Sequence, residues 1–324
     1  MTNYIRPSSV QPPFHDLTPR DNIQIGQPLK PRRVNVIVNP AAGKPIPLLA
    51  ILNSVFKAQQ VDWDVFITKE AGDARRLAEE SARAGVDVVA ACGGDGTVME
   101  VAQGLVGTGV PMAILPAGTA NVMALELGIP TDLALAAALV AEGNNIVRSI
   151  DMGGVNEGRF LLRVGIGAEA QITVGTEREA KNRLGNLAYV LSALSALTNP
   201  QVAWFSMNLD GVHVEVEGIS CMIANSGNVG IPGINILPGM DVNDGLLDVV
   251  LFRRGDLPAL LAITTAAVLE SSKEPESILR WKVREVTIET NPPMPVVADG
   301  EILTPTPVHA CVFPHAVRII CPNP

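Results

Sequence analysis

Beyond residue 32, apolar positions along the chain follow two rhythms that repeatedly trade places. Short, almost wholly apolar runs at 34–38, 63–68, 86–92 and 112–115 predict strands covered on both faces. Between them, apolar residues recur three and four positions apart. That spacing predicts helices over 47–59, 71–84, 98–106 and 132–142, with 119–127 beginning as a loop and becoming helical. Strands alternating with helices predict a parallel sheet covered on both sides, an α/β Rossmann-like arrangement. After about residue 150 the rhythm shortens to alternation. Strands are predicted at 159–164, 203–209, 212–216, 220–225, 246–253, 285–290, 295–298, 308–312 and 316–320, with helical breaks at roughly 170–197 and 257–269. That half reads as a mainly antiparallel β-sandwich or distorted barrel. The change of texture places the boundary between residues 150 and 151, giving an arm over 1–32, an α/β domain over 33–150 and a β-rich domain over 151–324.

In a parallel sheet of this kind, ligands sit beyond the carboxyl ends of the strands. The polar, glycine-rich segments fall there. Asn39-Pro40-Ala41-Ala42-Gly43 follows the first strand, and Thr68 ends the second. Gly93-Gly94-Asp95-Gly96-Thr97 follows the third, and Pro116-Ala117-Gly118-Thr119-Ala120-Asn121 follows the fourth. A glycine turn that opens a helix presents backbone N–H groups without partners, which suits a phosphate. Asp95 adds a carboxylate among those amides. That placement is repulsive to phosphate unless a divalent cation or a ribose hydroxyl lies between, so the motif asks for a metal–nucleotide ligand. The bland alternative is an ordinary tight turn capped by Thr97.

Composition narrows the field. The 324 residues suffice for two domains, and 47% hydrophobic content is ample for their cores. Only 4% are aromatic, so small aliphatic side chains fill the interior. A net charge of −9 argues against nucleic acid as a partner. Cys92, Cys221, Cys311 and Cys321 show no C-x-x-C pairing and lie in apolar runs, which predicts buried free thiols in a reducing compartment. The scattered histidines (His15, His213, His309, His315) support no zinc site, and no nucleophile elbow is present. The proline-rich arm predicts no export signal, and the longest nearly uncharged apolar stretch, 257–269, is too short to span a bilayer. A soluble, cytoplasmic protein is the expectation.

Three further motifs are weaker. Gly165-Ile166-Gly167-Ala168-Glu169-Ala170 matches a dinucleotide fingerprint. It lies in the alternating half without a following parallel strand, so a strand-to-helix turn is the better reading. Asp241-Val242-Asn243-Asp244-Gly245-Leu246 is either a solvated Asp-Gly turn or a curl whose two carboxylates and a carbonyl converge on a hard cation. Asp299-Gly300-Glu301 is either a plain hairpin turn or a turn that positions a base.

Taken in order, NPAAG (39–43), GGDGT (93–97), LPAGTAN (115–121), LGIP (127–130), RLGNLAY (183–189), DVNDGLLDV (241–249) and DGE (299–301) resemble the diacylglycerol kinase catalytic family. That family includes sphingosine and ceramide kinases and bacterial lipid kinases. The resemblance runs from about residue 33 to the C-terminus. It implies an ATP-binding α/β half and a β-rich half for the lipid substrate, with the active site in the cleft between them. Asn39, Pro40, Ala41, Ala42, Gly43, Thr68, Gly93, Gly94, Asp95, Gly96, Thr97, Val98, Met99, Glu100 and Thr119 would hold ATP. Asp95 would stand at the phosphates and their Mg²⁺. Glu301 would accept the proton of a lipid hydroxyl, with Asp151 cooperating. Asp241, Asp244 and the carbonyl of Leu246 would hold a second, structural Mg²⁺. The implied partner is a lipid at a membrane surface, met peripherally at the inner face; a homodimer is compatible with this. Alternatives are an NAD kinase or phosphofructokinase-like small-molecule kinase, and a non-catalytic lipid- or nucleotide-binding relative.

Four positions depart from the family pattern. Met99 stands where Asn is common, Ala42 where Ser is frequent, Leu125 in a place often held by Arg, and Arg163 where Asn is common. Met99 and Ala42 each remove a hydrogen bond near the nucleotide, which costs about 0.5–1.5 kcal/mol apiece.

Overall fold

The computed structural model describes residues 25–43, 47–167, 170, 201–228, 230, 239–253 and 278–323. The predicted arm as far as residue 24, most of the helix at 170–197, the helix at 257–269 and the RLGNLAY motif lie outside the described residues.

The first half alternates as its rhythm predicts: β1(Arg33–Val38), α1(Leu48–Ala58), β2(Asp62–Ile67), α2(Asp73–Arg83), β3(Val88–Gly93), α3(Asp95–Leu105), β4(Met112–Pro116), α4(Val122–Glu126) and α5(Leu133–Glu142). The helices form for local reasons. α2 buries Ala74, Leu77, Ala78 and Ser81 along one stripe and carries Arg75–Glu79 and Arg76–Glu80 pairs one turn apart on its wet side. α5 is capped by Asp132, whose carboxylate accepts the Leu135 N–H at 3.0 Å, and ends at Gly143 in the left-handed region. Strands β2, β1, β3 and β4 pair in parallel in that order, and β3 is buried at every position.

The chain continues through β5(Asn145–Val155), β6(Gly158–Phe160), β7(Arg163–Gly167), β8(Ala203–Leu209), β9(Val212–Gly218) and β10(Ser220–Ala224). It ends with β11(Leu247–Phe252), β12(Leu279–Val283), β13(Glu285–Asn291), β14(Val296–Ala298), β15(Glu301–Leu303) and β16(Val308–Pro322). One antiparallel sheet runs β12-β11-β10-β7-β14-β15. The other runs β2-β1-β3-β4-β16-β13-β8-β9, with β5 and β6 attached through β16, so it passes from the parallel half into the antiparallel one. The inward faces of the two sheets, among them Phe205, Met207 and Ile288 against Val164, Ile166, Ile223 and Val249, make the sandwich core. The fold is an α/β half joined to a mainly antiparallel β-sandwich.

Two differences from the sequence reading are instructive. Residues 145–155 carry no predicted element, yet β5 runs through them and pairs with β16 along almost its whole length. Residues 308–312 and 316–320 are one strand, bent by an irregularity between Phe313 and Val317. The G-x-G of 165–167 sits inside β7 between β10 and β14, and Ala170, three residues on, is helical, in keeping with the strand-to-helix reading. Among the described residues no helix is long and apolar enough to cross a membrane. All four cysteines are free; Cys92, Cys221 and Cys321 are buried and Cys311 is half-buried.

Candidate active site

The loops that leave β1, β3 and β4 meet at one rim of the parallel sheet. The Asn39 N–H donates to the Cys92 carbonyl at 3.0 Å, its Oδ1 accepts the Ala41 N–H at 3.0 Å, and its Nδ2 donates to Thr97 Oγ1 at 3.1 Å. The Ala42 N–H closes the turn on the Asn39 carbonyl. Pro40 and Ala41 are exposed on its outside. Gly43 has φ +68°, and a Cβ there would run into the Ala117 carbonyl, so only glycine lets the first loop lie against the third. The Ala117 N–H donates to the Gly93 carbonyl at 3.0 Å, and Asn121 folds the third loop back on itself through Gly118.

The contact between the second and third loops is steric. A Cβ on Gly118 would stand 2.5 Å from Gly94 Cα, whereas a Cβ on Gly94 would meet Gly118 Cα at an ordinary 3.5 Å. Gly118→Ala is therefore expected to push the loops apart and cost about 1–3 kcal/mol, while Gly94→Ala is expected to be nearly neutral. Thermal denaturation of the two variants checks this; equal melting temperatures would refute the packing.

α3 begins at Asp95, within the glycine motif. The first-turn N–H groups of a helix have no backbone partner one turn back; that of Asp95 turns to its own carboxylate. The Asp95 carboxylate accepts the Met123 N–H at 3.3 Å at the start of α4. Burial holds this carboxyl above the usual carboxylate range, opposed by N–H groups of α4 and by the charge of Arg163. The other residues of the predicted nucleotide set divide. Thr119 is exposed at the rim. Thr97 is buried and engaged with Asn39. Val98 and Met99 belong to the hydrophobic core. Glu100 accepts the Ala74 N–H at the start of α2, and the Thr68 hydroxyl donates back to the Val38 carbonyl.

From the other half comes the β14–β15 hairpin, whose two-residue turn has Asp299 at φ +45° and Gly300 at φ +90°. Asp299 does more than turn the chain. Its carboxylate accepts the N–H groups of Leu161 (2.7 Å), Leu162 (3.1 Å) and Arg163 (2.9 Å), and its own N–H donates to the Arg163 carbonyl. Burial pushes its carboxyl up to about 6, against the pull of those N–H groups and of Arg163. Glu301 follows, exposed, paired with Ala298 at the mouth of the hairpin.

Contacts between the halves involve residues absent from the motif reading. Glu126 Oε2, at the end of α4, accepts both Ser226 Oγ and the Asn228 N–H at 2.7 Å. Within the second half, Arg163 Nη1 donates to the Asn228 carbonyl at 3.1 Å. A polar Asn-Ser pair directly after the buried β10 was the one sequence signal that could have marked this junction.

Asp151 is fully buried in β5. Its Oδ2 accepts the Gly245 N–H and its Oδ1 the His315 N–H, both at 2.7 Å, and its N–H donates to the Val242 carbonyl. It thus anchors the 241–246 turn; none of the described hydrogen bonds joins it to Glu301. In that turn Asp241 Oδ1 accepts the Asn243 N–H, Asp244 Oδ1 accepts the Leu246 N–H, and Lys282 Nζ donates to Asp244 Oδ2 at 2.6 Å and to the Gly239 carbonyl at 3.1 Å. Two carboxylates and a carbonyl are hard oxygen donors that suit Mg²⁺ by type. An ion held through Asp244 would share or displace the Lys282 ammonium. Among the described residues no group of three or more His, Cys, Asp or Glu side chains is placed to hold a metal.

Residues 33–155 match the family described as the diacylglycerol kinase catalytic domain, and residues 162–321 match the YegS C-terminal NAD kinase beta sandwich-like domain. A protein of Pseudomonas aeruginosa (strain UCBPP-PA14) named probable lipid kinase YegS-like is 35% identical over 261 residues, 80% of this chain and 84% of the relative. The diacylglycerol kinase of Bacillus subtilis (strain 168) is 29% identical over 275 residues, 83% of this chain and 90% of that protein. An uncharacterized Synechocystis protein is 32% identical over 75% of this chain, which spans only 57% of that relative's length. The crystal structure of a diacylglycerol kinase from Bacillus anthracis str. Sterne superimposes with a TM-score of 0.74 at 30% identity, covering 91% of this chain and 99% of the other.

Proposed function

The chain belongs to the diacylglycerol kinase family, and from that membership we propose that it is a lipid kinase that transfers the γ-phosphate of Mg-ATP to a lipid hydroxyl, diacylglycerol or a related lipid. The observation that carries this reading is the meeting of the 39–43, 93–97 and 116–121 loops at one rim, packed so closely that Gly43 and Gly118 tolerate no side chain. Main-chain amides at a helix N-terminus such as that of α3 are a suitable surface for a triphosphate. Little covalent chemistry falls to the protein in phosphoryl transfer, so its work is positioning and charge neutralisation.

In this reading the amides of 94–97 bind the phosphates, and Asp95, fastened to α4 by the Met123 N–H, faces them from a fixed position. Magnesium, when bound with the nucleotide, neutralises phosphate charge. Glu301 accepts the proton from the lipid hydroxyl as that oxygen forms its bond to phosphorus and the bond from phosphorus to the bridging oxygen of ATP breaks. The anchored Asp299 turn holds Glu301 in place for that transfer. Asp151 acts at one remove, by fixing the 241–246 turn, where Asp241, Asp244 and the Leu246 carbonyl are the donors for the second Mg²⁺. The lipid is met peripherally, at a membrane surface.

The direct test is incubation of purified protein with labelled ATP and a total lipid extract, with Mg²⁺ and with chelator, beside parallel reactions offering NAD and fructose 6-phosphate. Label is expected in a lipid, only with Mg²⁺, and Asp95→Asn is expected to abolish it with loss of metal-dependent ATP binding. Label in NAD or the sugar phosphate instead would overturn the lipid reading. ATP binding without transfer to any acceptor would make the chain a non-catalytic relative.

A further inference from the structure

The residues that follow β10 leave the sandwich and lie against the first half. Asn225 fixes where they start. Its N–H and that of Ser226 both donate to the Leu162 carbonyl, and its Nδ2 donates to the carbonyls of Asp151 and Leu161. Further on, a Cβ at Gly230 would stand 3.4 Å from both Ala120 Cβ and Val122 Cγ2, so this glycine packs on the third loop of the rim and on the first residue of α4. Glu126 reaches across from the last position of α4. Its Oε2 accepts the Ser226 hydroxyl and the Asn228 N–H, both at 2.7 Å. Both donors belong to buried residues. Two short, charge-assisted hydrogen bonds to one carboxylate oxygen make a stiff joint.

We propose that Glu126 is a positioning residue for phosphoryl transfer, setting the separation between the phosphates on the first half and the proton acceptor on the second. This rests on the kinase reading above. On one side, α4 carries the Met123 N–H that holds Asp95, one turn before Glu126. Val122, Met123 and Ala124 are buried in the core of the first half, so α4 keeps its place on Asp95 without the Glu126 carboxylate. On the other side, the Asn225 and Ser226 N–H groups bond to Leu162, whose own N–H donates to Asp299, two residues before Glu301. The two reacting groups thus belong to different halves, and Glu126 bonds one half to the other close to both. A misplacement of about 1 Å between reacting groups costs about 10²-fold in rate.

The test is single-turnover transfer from labelled ATP to lipid by the full chain, beside equilibrium ATP binding and thermal denaturation. Glu126→Ala is expected to transfer about 10- to 100-fold more slowly with ATP affinity unchanged. Glu126→Gln, which retains an oxygen acceptor, is expected to recover most of the loss. Ser226→Ala leaves the Asn228 contact and should lose less, and the double variant should be no slower than Glu126→Ala, because both substitutions open one joint. A merely structural tie would lower the melting temperature and leave the folded protein transferring at the wild-type rate. That result, or ATP binding lost in step with the rate, overturns the inference. Where Glu126→Ala does not fold, Ser226→Ala decides: slower transfer with unchanged ATP binding supports the inference, and the wild-type rate overturns it. Wild-type protein that binds ATP and labels no lipid overturns the kinase reading and this inference with it.

Discussion

Glu301→Gln is expected to lower phosphoryl transfer to lipid by about 10²–10⁴-fold, the usual contribution of a positioned base, while ATP binding is retained. The substitution is nearly isosteric. Glu301 is exposed at the first position of β15, and what fixes it is the backbone register with Ala298 and the Asp299 anchor, none of which needs its carboxylate. Folding should therefore be untouched, and the melting temperature should equal that of wild type. Single-turnover kinetics with labelled ATP, beside direct nucleotide binding, separate the two properties. A variant that phosphorylates lipid at the wild-type rate would remove Glu301 from the role of proton acceptor. One that loses ATP binding as well would move it to the nucleotide.

Asp299 is expected to dominate the stability of the same hairpin. Asp299→Ala leaves the N–H groups of Leu161, Leu162 and Arg163 without their acceptor, at about 1–3 kcal/mol for each buried group left unsatisfied, partly offset by removing a buried charge. A net loss of roughly 3–5 kcal/mol, a large share of a typical domain's stability, follows. Activity should fall with it, because Glu301 depends on that turn. The pH dependence has a definite sign. Burial raises the folded-state value to about 6 from 3.8, so the folded protein holds this proton more tightly than the unfolded chain does. The group's contribution is full below about pH 4 and is lost as pH rises through about 6, a swing of about 3 kcal/mol. Denaturant melts of wild type and Asp299→Asn between pH 4 and pH 7.5 check it: the difference between the two should change across that window. A flat difference would show that the carboxyl titrates normally.

The sequence reading gathered the three loops at one rim because β3 and β4 are apolar throughout and β1 nearly so, while glycine-rich polar segments follow their carboxyl ends, where a parallel sheet gathers them. It missed β5 because Arg148, Asp151 and the Gly153–Gly154 pair interrupt both rhythms. In the fold those glycines make room for the rings of Phe160 and Phe313, and the aspartate is fully buried against the 241–246 turn. It started α3 at residue 98 rather than at Asp95, because Gly, Asp and Thr read as breakers. At a helix start they are suitable, since the first-turn N–H groups need no intrahelical partner and the dipole favours an acid. Asp299 was an open choice between a plain turn and a positioning one. The three N–H groups that fill its carboxylate lie more than 130 positions away in the chain, beyond any local pattern.

Local chemistry alone therefore settled the class of each half, the order of the strands along the chain and which loops are built for close backbone approach, because periodicity and glycine placement act within a few residues. Which carboxylates serve as anchors, which of the predicted binding residues turn into the core, and that Glu126 ties the two halves through Ser226 and Asn228 were decided only by tertiary structure. Those roles depend on burial and on hydrogen-bond partners brought together from distant segments, and neither quantity exists until the chain has folded.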